Sequence, residues 1–137
     1  MRLEHLNLIV KDIESMLSFY KLAFPHWYVR AQGKSDWYGV ERNWVHFGDD
    51  FQYLTFNDNG QGDNRDLKSH TIGLAHFAYA VDDIESVKKR LLRAGFDAKS
   101  GSENKYRKNV YFIDPSGYEV EFVEYCSDIP NERNSDK

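Results

Sequence analysis

The sequence contains a single cysteine, Cys126, among 137 residues. One thiol excludes a disulfide framework and a cysteine-rich metal site, and it fits a reducing, cytoplasmic setting. Long runs of positive charge are also missing. Lys88, Lys89 and Arg90 form one short basic cluster inside a helical pattern, which reads as a solvated face. With a formal net charge of −4, the chain shows no nucleic-acid footprint. No apolar run approaches membrane-spanning length, so no membrane partner is expected. No apolar h-region precedes the first strand, so no signal peptide is predicted. What remains is ordinary for one globular domain, with 41% apolar residues. Aromatics are plentiful at 15%, and Trp27, Trp37, Trp44, Tyr28 and Tyr38 all lie in the first half. Such rings either pack a sheet core or line a pocket or an interface.

The chain repeats itself. Leu3-Glu-His-Leu-Asn-Leu-Ile-Val-Lys-Asp-Ile-Glu-Ser15 aligns without a gap on Leu74-Ala-His-Phe-Ala-Tyr-Ala-Val-Asp-Asp-Ile-Glu-Ser86, with seven of 13 positions identical. Chance would give roughly one match. Each copy carries a histidine at the same internal place, His5 and His76. A repeat of this kind decides the architecture before any single residue does.

Each copy opens with a strand of period two. Leu6, Leu8 and Val10 alternate with His5, Asn7 and Ile9, and Phe77, Tyr79 and Val81 alternate with His76, Ala78 and Ala80. The bulky set belongs under a helix, and the histidine face keeps small or polar neighbours. Asp12 and Asp83 are the expected helix N-caps, with Glu14 and Glu85 in the first turns. Ile13, Met16, Leu17 and Tyr20, then Ile84, Val87 and Leu91, follow helical spacing. Pro25 stops the first helix and Gly95 the second. Strand-like runs follow at 27–30, 37–40, 44–47 and 51–56, and then at 109–113 and 118–125. The turn Asp114-Pro-Ser-Gly117 joins the last two, and 96–108 is polar and ambiguous. The expected organisation is one domain over 1–126: module one at 1–57, a linker at 58–72 and module two at 73–126. A polar, frayed tail follows at 127–137.

In the last strand, Tyr118, Val120 and Phe122 suit the helix side, which turns Glu119 and Glu121 toward the histidine side. A carboxylate in mid-strand is unusual unless solvated, paired or bound to a metal. His5, His76 and Glu121 therefore form a candidate metal site of two histidines and one carboxylate with open positions. The matching first-half strand places Tyr53 and Thr55 on that side, and Tyr53 is read as the counterpart of Glu121 and as a pocket-lining ring. His26, His46 and His70 fall outside the repeated frame and read as ordinary polar residues.

These motifs resemble the vicinal-oxygen-chelate superfamily, the glyoxalase/bleomycin-resistance/extradiol-dioxygenase fold. The carrying stretches are the two repeat copies, Phe19-Tyr20, and Phe112-Ile-Asp-Pro-Ser-Gly-Tyr-Glu-Val-Glu-Phe122. The resemblance implies an α+β fold of two tandem βαβββ modules in a cupped mixed sheet around a divalent metal (Fe, Mn, Zn, Ni or Co). It carries His5, His76 and Glu121 onto three family metal positions, with Glu121 also in the catalytic role. Tyr53 stands at the fourth, where glyoxalase-type enzymes have a glutamate, and Ile9 where they can carry an arginine. Both departures set the chain apart from lactoylglutathione lyases. Tyr111 lies where fosfomycin-thiol transferases have a tyrosine near the substrate, although Asn7 replaces their threonine and 100–109 holds no recognisable potassium loop. Tyr53, Asn7, Tyr111 and Trp44 are the expected substrate-binding residues.

Two functions stay open. One is a metal-dependent enzyme on a small substrate with vicinal oxygens, of lyase, thiol-transferase or ring-cleaving dioxygenase type. The other is a metal-free small-molecule-binding protein of the bleomycin-resistance type. The short chain favours a homodimer.

Overall fold

A computed structural model describes residues 1–136; Lys137, the end of the expected tail, lies outside the described residues. The chain divides into two compact units, the first spanning Met1–Asp63 and the second beginning at Asn64. The stretch 58–72 is shared between them. Gly60 N–H bonds Val10 O at 2.9 Å and Lys11 pairs with Asp63 at 2.8 Å in the first unit. In the second, Arg65 ties its own loop through the carbonyls of Thr71 and Ser69 at 2.9 and 3.0 Å.

The first unit runs β1 (His5–Ile9), α1 (Ile13–Ala23), β2 (Tyr28–Trp37), β3 (Val40–Gly48) and β4 (Tyr53–Asn57). The sheet order is β1-β4-β3-β2, with β1 parallel to β4 and the other pairs antiparallel. The parallel pair requires a crossover, and α1 lies on that connection. Asp12 caps α1 as expected, accepting from Ser15 N–H at 2.8 Å. The helix buries Met16, Phe19, Tyr20 and Ala23, a face rotated toward Phe19 from the expected Ile13 and Leu17, which stay half-buried. That face meets Leu8, Val10, Val45, Phe47, Leu54 and Phe56, all buried. Burying such side chains stabilises by about 1.5–3 kcal/mol each before entropy is subtracted.

The strands after α1 differ from the expected short runs. Residues 28–48 form one long hairpin that turns at Tyr38 and Gly39, both with positive φ (54° and 90°). Two consecutive positive φ values match the twist of the flanking strands. The low strand propensity of Ala31-Gln-Gly-Lys-Ser-Asp36 hides the continuity in the sequence.

The second unit repeats the plan with β5 (Phe77–Ala80), α2 (Ile84–Arg93), β6 (Ala98–Glu103), β7 (Arg107–Ile113) and β8 (Glu119–Tyr125). Its sheet order is β5-β8-β7-β6. Asp83 caps α2 through Ser86 N–H at 3.1 Å, and Ile84, Val87 and Leu91 are buried as predicted. Gly95, at φ 95°, ends the helix in the left-handed region. The ambiguous polar segment contains β6, exposed along its whole length. The tail does not simply fray: α3 (Pro130–Arg133) starts on a proline, and the Arg133 guanidinium lies 3.7 Å from the Tyr125 ring centre.

Candidate functional site

Both sheets have one face under a helix and one face without. On the helix-free face of the first sheet, period two gathers His5, Tyr53, His46 and Trp44 from β1, β4 and β3. Their rings form a row. His5 stacks on Tyr53 with centres 4.6 Å apart and planes 11° apart, His46 lies 4.6 Å from Tyr53, and Trp44 lies 4.8 Å from His46. Arg30, from β2, sits 4.5 Å from the Tyr53 ring centre. Trp44 needs the bare backbone of Gly33, where a Cβ would come within 2.8 Å of its ring.

Glu4 organises the row's end. Its Oε1 lies 2.9 Å from His5 Nδ1, and this hydrogen bond holds the Glu4 carboxyl below its ordinary range. Tyr53 is raised, first by burial and then by the negative charge of Glu4, which its hydroxyl also hydrogen-bonds. Phenolate is thus further out of reach for Tyr53 than for a free tyrosine. His46 is lowered by burial, then by His5 and Arg30, which favours a neutral imidazole. With Nδ1 on a carboxylate, His5 keeps Nε2 for a metal or a substrate. Metal-ligating histidines characteristically donate their other ring N–H in this way.

In the second unit, Glu121 is the centre. Its side chain is only 14% exposed, and Oε1 lies 3.5 Å from His76 Nε2. Asn109 donates to Oε2 at 3.2 Å. Tyr111, directly opposite Glu121 in the β7–β8 register, hydrogen-bonds it as well. Burial raises the Tyr111 hydroxyl, and the Glu121 charge adds to that. Asn109 is itself fixed, since its Oδ1 accepts from Ser102 N–H and Oγ–H at 2.9 and 2.7 Å. Glu119 does not join this group; it pairs with Lys99 at 2.9 Å. His76 sits one residue before β5 rather than within it, perpendicular to the Tyr111 ring with ring centres 5.2 Å apart.

The strand registers correct one expectation. His5 lies opposite Tyr53 and Asn7 opposite Thr55, whereas Ala78, the repeat of Asn7, lies opposite Glu121. Thr55, not Tyr53, is therefore the counterpart of Glu121, and Tyr53 corresponds to Glu119. The sequence could not show this, because the repeat fades before the fourth strand of each module and connections of different length precede it. Thr55 is a buried neutral hydroxyl, so the first module has no carboxylate at the position equivalent to Glu121. Asn7 is engaged by Asn57, whose Nδ2 donates to Asn7 Oδ1 at 2.5 Å and to Leu8 O at 3.1 Å. Its carbonyl side therefore faces its neighbour.

Sequence reasoning missed Glu4, Arg30 and His46. The signal for His46 was its alternation with Val45 and Phe47, which places it beside Trp44. Arg30 was hidden at a break in pairing: the β2–β3 register shifts between Val29 and Ala31.

Ligand bonds of about 2.1 Å set neighbouring donors about 3.0–3.4 Å apart on one metal. The 3.5 Å between His76 and Glu121 fits two such donors, and one carboxylate with imidazole suits Mn, Fe, Ni, Co or Zn. Among the described residues, no group of three or more His, Cys, Asp or Glu side chains is placed to hold a metal ion. Among the same residues, no helix is long and apolar enough to cross a membrane.

Comparison with known proteins identifies the fold. The family model for the Glyoxalase/Bleomycin resistance protein/Dioxygenase superfamily matches residues 2–122. No curated protein sequence matches the chain. Several solved structures share the fold. A glyoxylase/bleomycin resistance protein/dioxygenase domain from Frankia sp. EAN1pec is 19% identical over 91% of this chain and 98% of its own, with a TM-score of 0.73. A mutant of the fosfomycin resistance protein FosX from Listeria monocytogenes, complexed with Mn(II) and 1S,2S-dihydroxypropylphosphonic acid, is 16% identical over 98% of both chains, with a TM-score of 0.69. TnmS3, an antibiotic binding protein from Streptomyces sp. CB03234, is 16% identical over 91% of this chain and 96% of its own, with a TM-score of 0.63. By its paired βαβββ units and by this match across nearly all of both, the chain belongs to the Glyoxalase/Bleomycin resistance protein/Dioxygenase superfamily.

Proposed function

We propose that this chain is a metal-dependent enzyme acting on a small substrate with adjacent oxygens. The observation that carries the reading is the His76–Glu121 pair, in which a largely buried carboxylate is held by Asn109 and Tyr111 and turned toward an imidazole nitrogen. The reading assigns His76, Glu121 and, from the first module, His5 as the metal ligands. When bound, a divalent ion would supply Lewis-acid stabilisation of an oxyanion on the substrate. The side chains do the rest. Glu4 orients His5 and fixes which ring nitrogen carries its proton. Asn109 and Tyr111 aim Glu121 and hold it as an acceptor. Tyr53, Asn7, Tyr111 and Trp44 are assigned to substrate contact. Thr55 stands where the second module has Glu121, so the acidic group at this site in the first module is Glu4, which is bonded to His5; this sets the site apart from the lactoylglutathione lyase pattern and favours other lyase, transferase or ring-opening chemistry. We further place the protein in the cytoplasm as a homodimer, as its lone thiol and the prevalence of two-fold assemblies support.

Elemental analysis of protein purified without chelators tests the reading. Bound divalent metal that falls sharply in His76→Ala and His5→Ala supports it. Metal-free protein, or metal content indifferent to both variants, contradicts it.

The ring row favours a second reading, a metal-free binder of a flat metabolite or drug. Ligand binding that persists unchanged in EDTA, with no metal in the purified protein, distinguishes it.

A further inference from the structure

The duplication provides an internal comparison for Arg30. Both edge strands carry a register shift at the same place, between Val29 and Ala31 in β2 and between Ala98 and Ser100 in β6. Arg30 and Lys99 are the residues skipped by these shifts, so they are counterparts. Their neighbours on the fourth strands are counterparts too, Tyr53 and Glu119. In the second module the pair is an ordinary ion pair, Lys99 Nζ to Glu119 Oε1 at 2.9 Å. In the first, the carboxylate is replaced by a phenol ring, and the Arg30 guanidinium lies over that ring at 4.5 Å. Among the described residues, Arg30 forms no ion pair. Glu4 lies close enough for the Arg30 charge to help hold its carboxyl down, but its hydrogen bonds go to His5 and the Tyr53 hydroxyl.

A guanidinium beside a row of rings, without the direct ion pair its counterpart makes, has donors available to an anion from outside. Arginine presents a planar fork of donors that matches a carboxylate in two-point contact. The row of Tyr53, His46 and Trp44 next to that fork presents ring edges, which suits edge-to-face contact with an aromatic ligand. We propose that Arg30 and the adjoining rings form a subsite for an aromatic carboxylate. This names the ligand class of the site described above and rests on the view that the helix-free face takes a small molecule. It does not require the metal.

The test is calorimetric titration of the full chain in EDTA with 1-naphthoate. The neutral isostere 1-naphthamide and the saturated decahydronaphthalene-1-carboxylate serve as comparisons. Naphthoate binding at least tenfold more tightly than either, with the preference over the amide abolished in Arg30→Gln and unchanged in Lys99→Gln, supports the proposal. Arg30 is exposed, so its replacement leaves the fold intact, which an unchanged melting temperature checks. No naphthoate binding, equal binding of amide and acid, equal binding of the saturated acid, or an Arg30→Gln variant that keeps the preference overturns it. Because every titration is done without metal, failure here leaves the metal assignment standing, and a metal-free protein leaves this result standing.

Discussion

Glu121 is aimed by two neighbours, so removing either should weaken a metal without removing a ligand. Tyr111→Phe deletes the hydroxyl that bonds the carboxylate, and Asn109→Ala deletes the amide that donates to Oε2 at 3.2 Å. A hydrogen bond to a charged group is worth about 1.5–3 kcal/mol, or about 10–150-fold in an equilibrium constant. Partners one step removed from a metal ligand typically contribute about 10–100-fold in affinity. The two estimates agree, so each single variant should lose about one to two orders of magnitude. The assay is competition for Mn(II) or Zn(II) against a chromophoric chelator. Tyr111→Phe is the cleaner test, because Asn109 also accepts two bonds from Ser102 and its loss loosens the β6–β7 edge. Ser102→Ala removes one of those bonds without touching Glu121, and it should leave affinity near that of the parent. The double variant should lose less than the product of the singles, since both partners act on one carboxylate. Affinities within twofold of the parent for both single variants would refute the positioning argument.

Three further outcomes follow from the packing and the caps. Leu54→Ala empties a fully buried site under α1 and should cost about 2–5 kcal/mol by denaturant unfolding. Gly48→Ala would place a Cβ 2.0 Å from Gln52 O and 2.5 Å from Tyr53 Cα. The β3–β4 connection must then shift, with a loss of about 1–3 kcal/mol or more and displacement of the Tyr53 ring, seen as weaker ligand binding at equal folded fraction. Asp83 is held below the ordinary carboxylate range, first by the Ser86 hydroxyl and then by Ser86 N–H. A lowered folded pKa means that its contribution is complete above the unfolded value and is lost as pH falls through the folded one. Asp83→Ala should therefore lower the melting temperature at neutral pH and narrow its gap to the parent in acid.

Much of this architecture was legible because it was written twice. The repeat of 3–15 at 74–86 located both first strands, both caps and both histidines, and the buried alternation Phe112, Val120 and Phe122 fixed which face Glu121 takes. The edge strands were not legible. β2 and β6 are exposed and rich in Gly, Ser, Lys and Ala, so they carry no hydrophobic period, and their pairing with β3 and β7 rests chiefly on backbone hydrogen bonds. The pairing of Tyr53 with His5, and so the place of Thr55, depends on register, which the composition of a five-residue strand does not encode. Arg30 and Glu4 were invisible for a related reason. Their roles come from their neighbours: for Arg30 a ring where the other module has a carboxylate, and for Glu4 the imidazole of the next residue and the Tyr53 hydroxyl.

The central proposal is that His76 and Glu121 hold a divalent metal. Cobalt(II) titration followed by visible absorption tests it directly, because the band intensity reports coordination by the protein. The account predicts a spectrum that saturates at a single equivalent per chain and collapses in His76→Ala and in Glu121→Gln. A chain that develops no cobalt spectrum, or one that survives both substitutions, would contradict it.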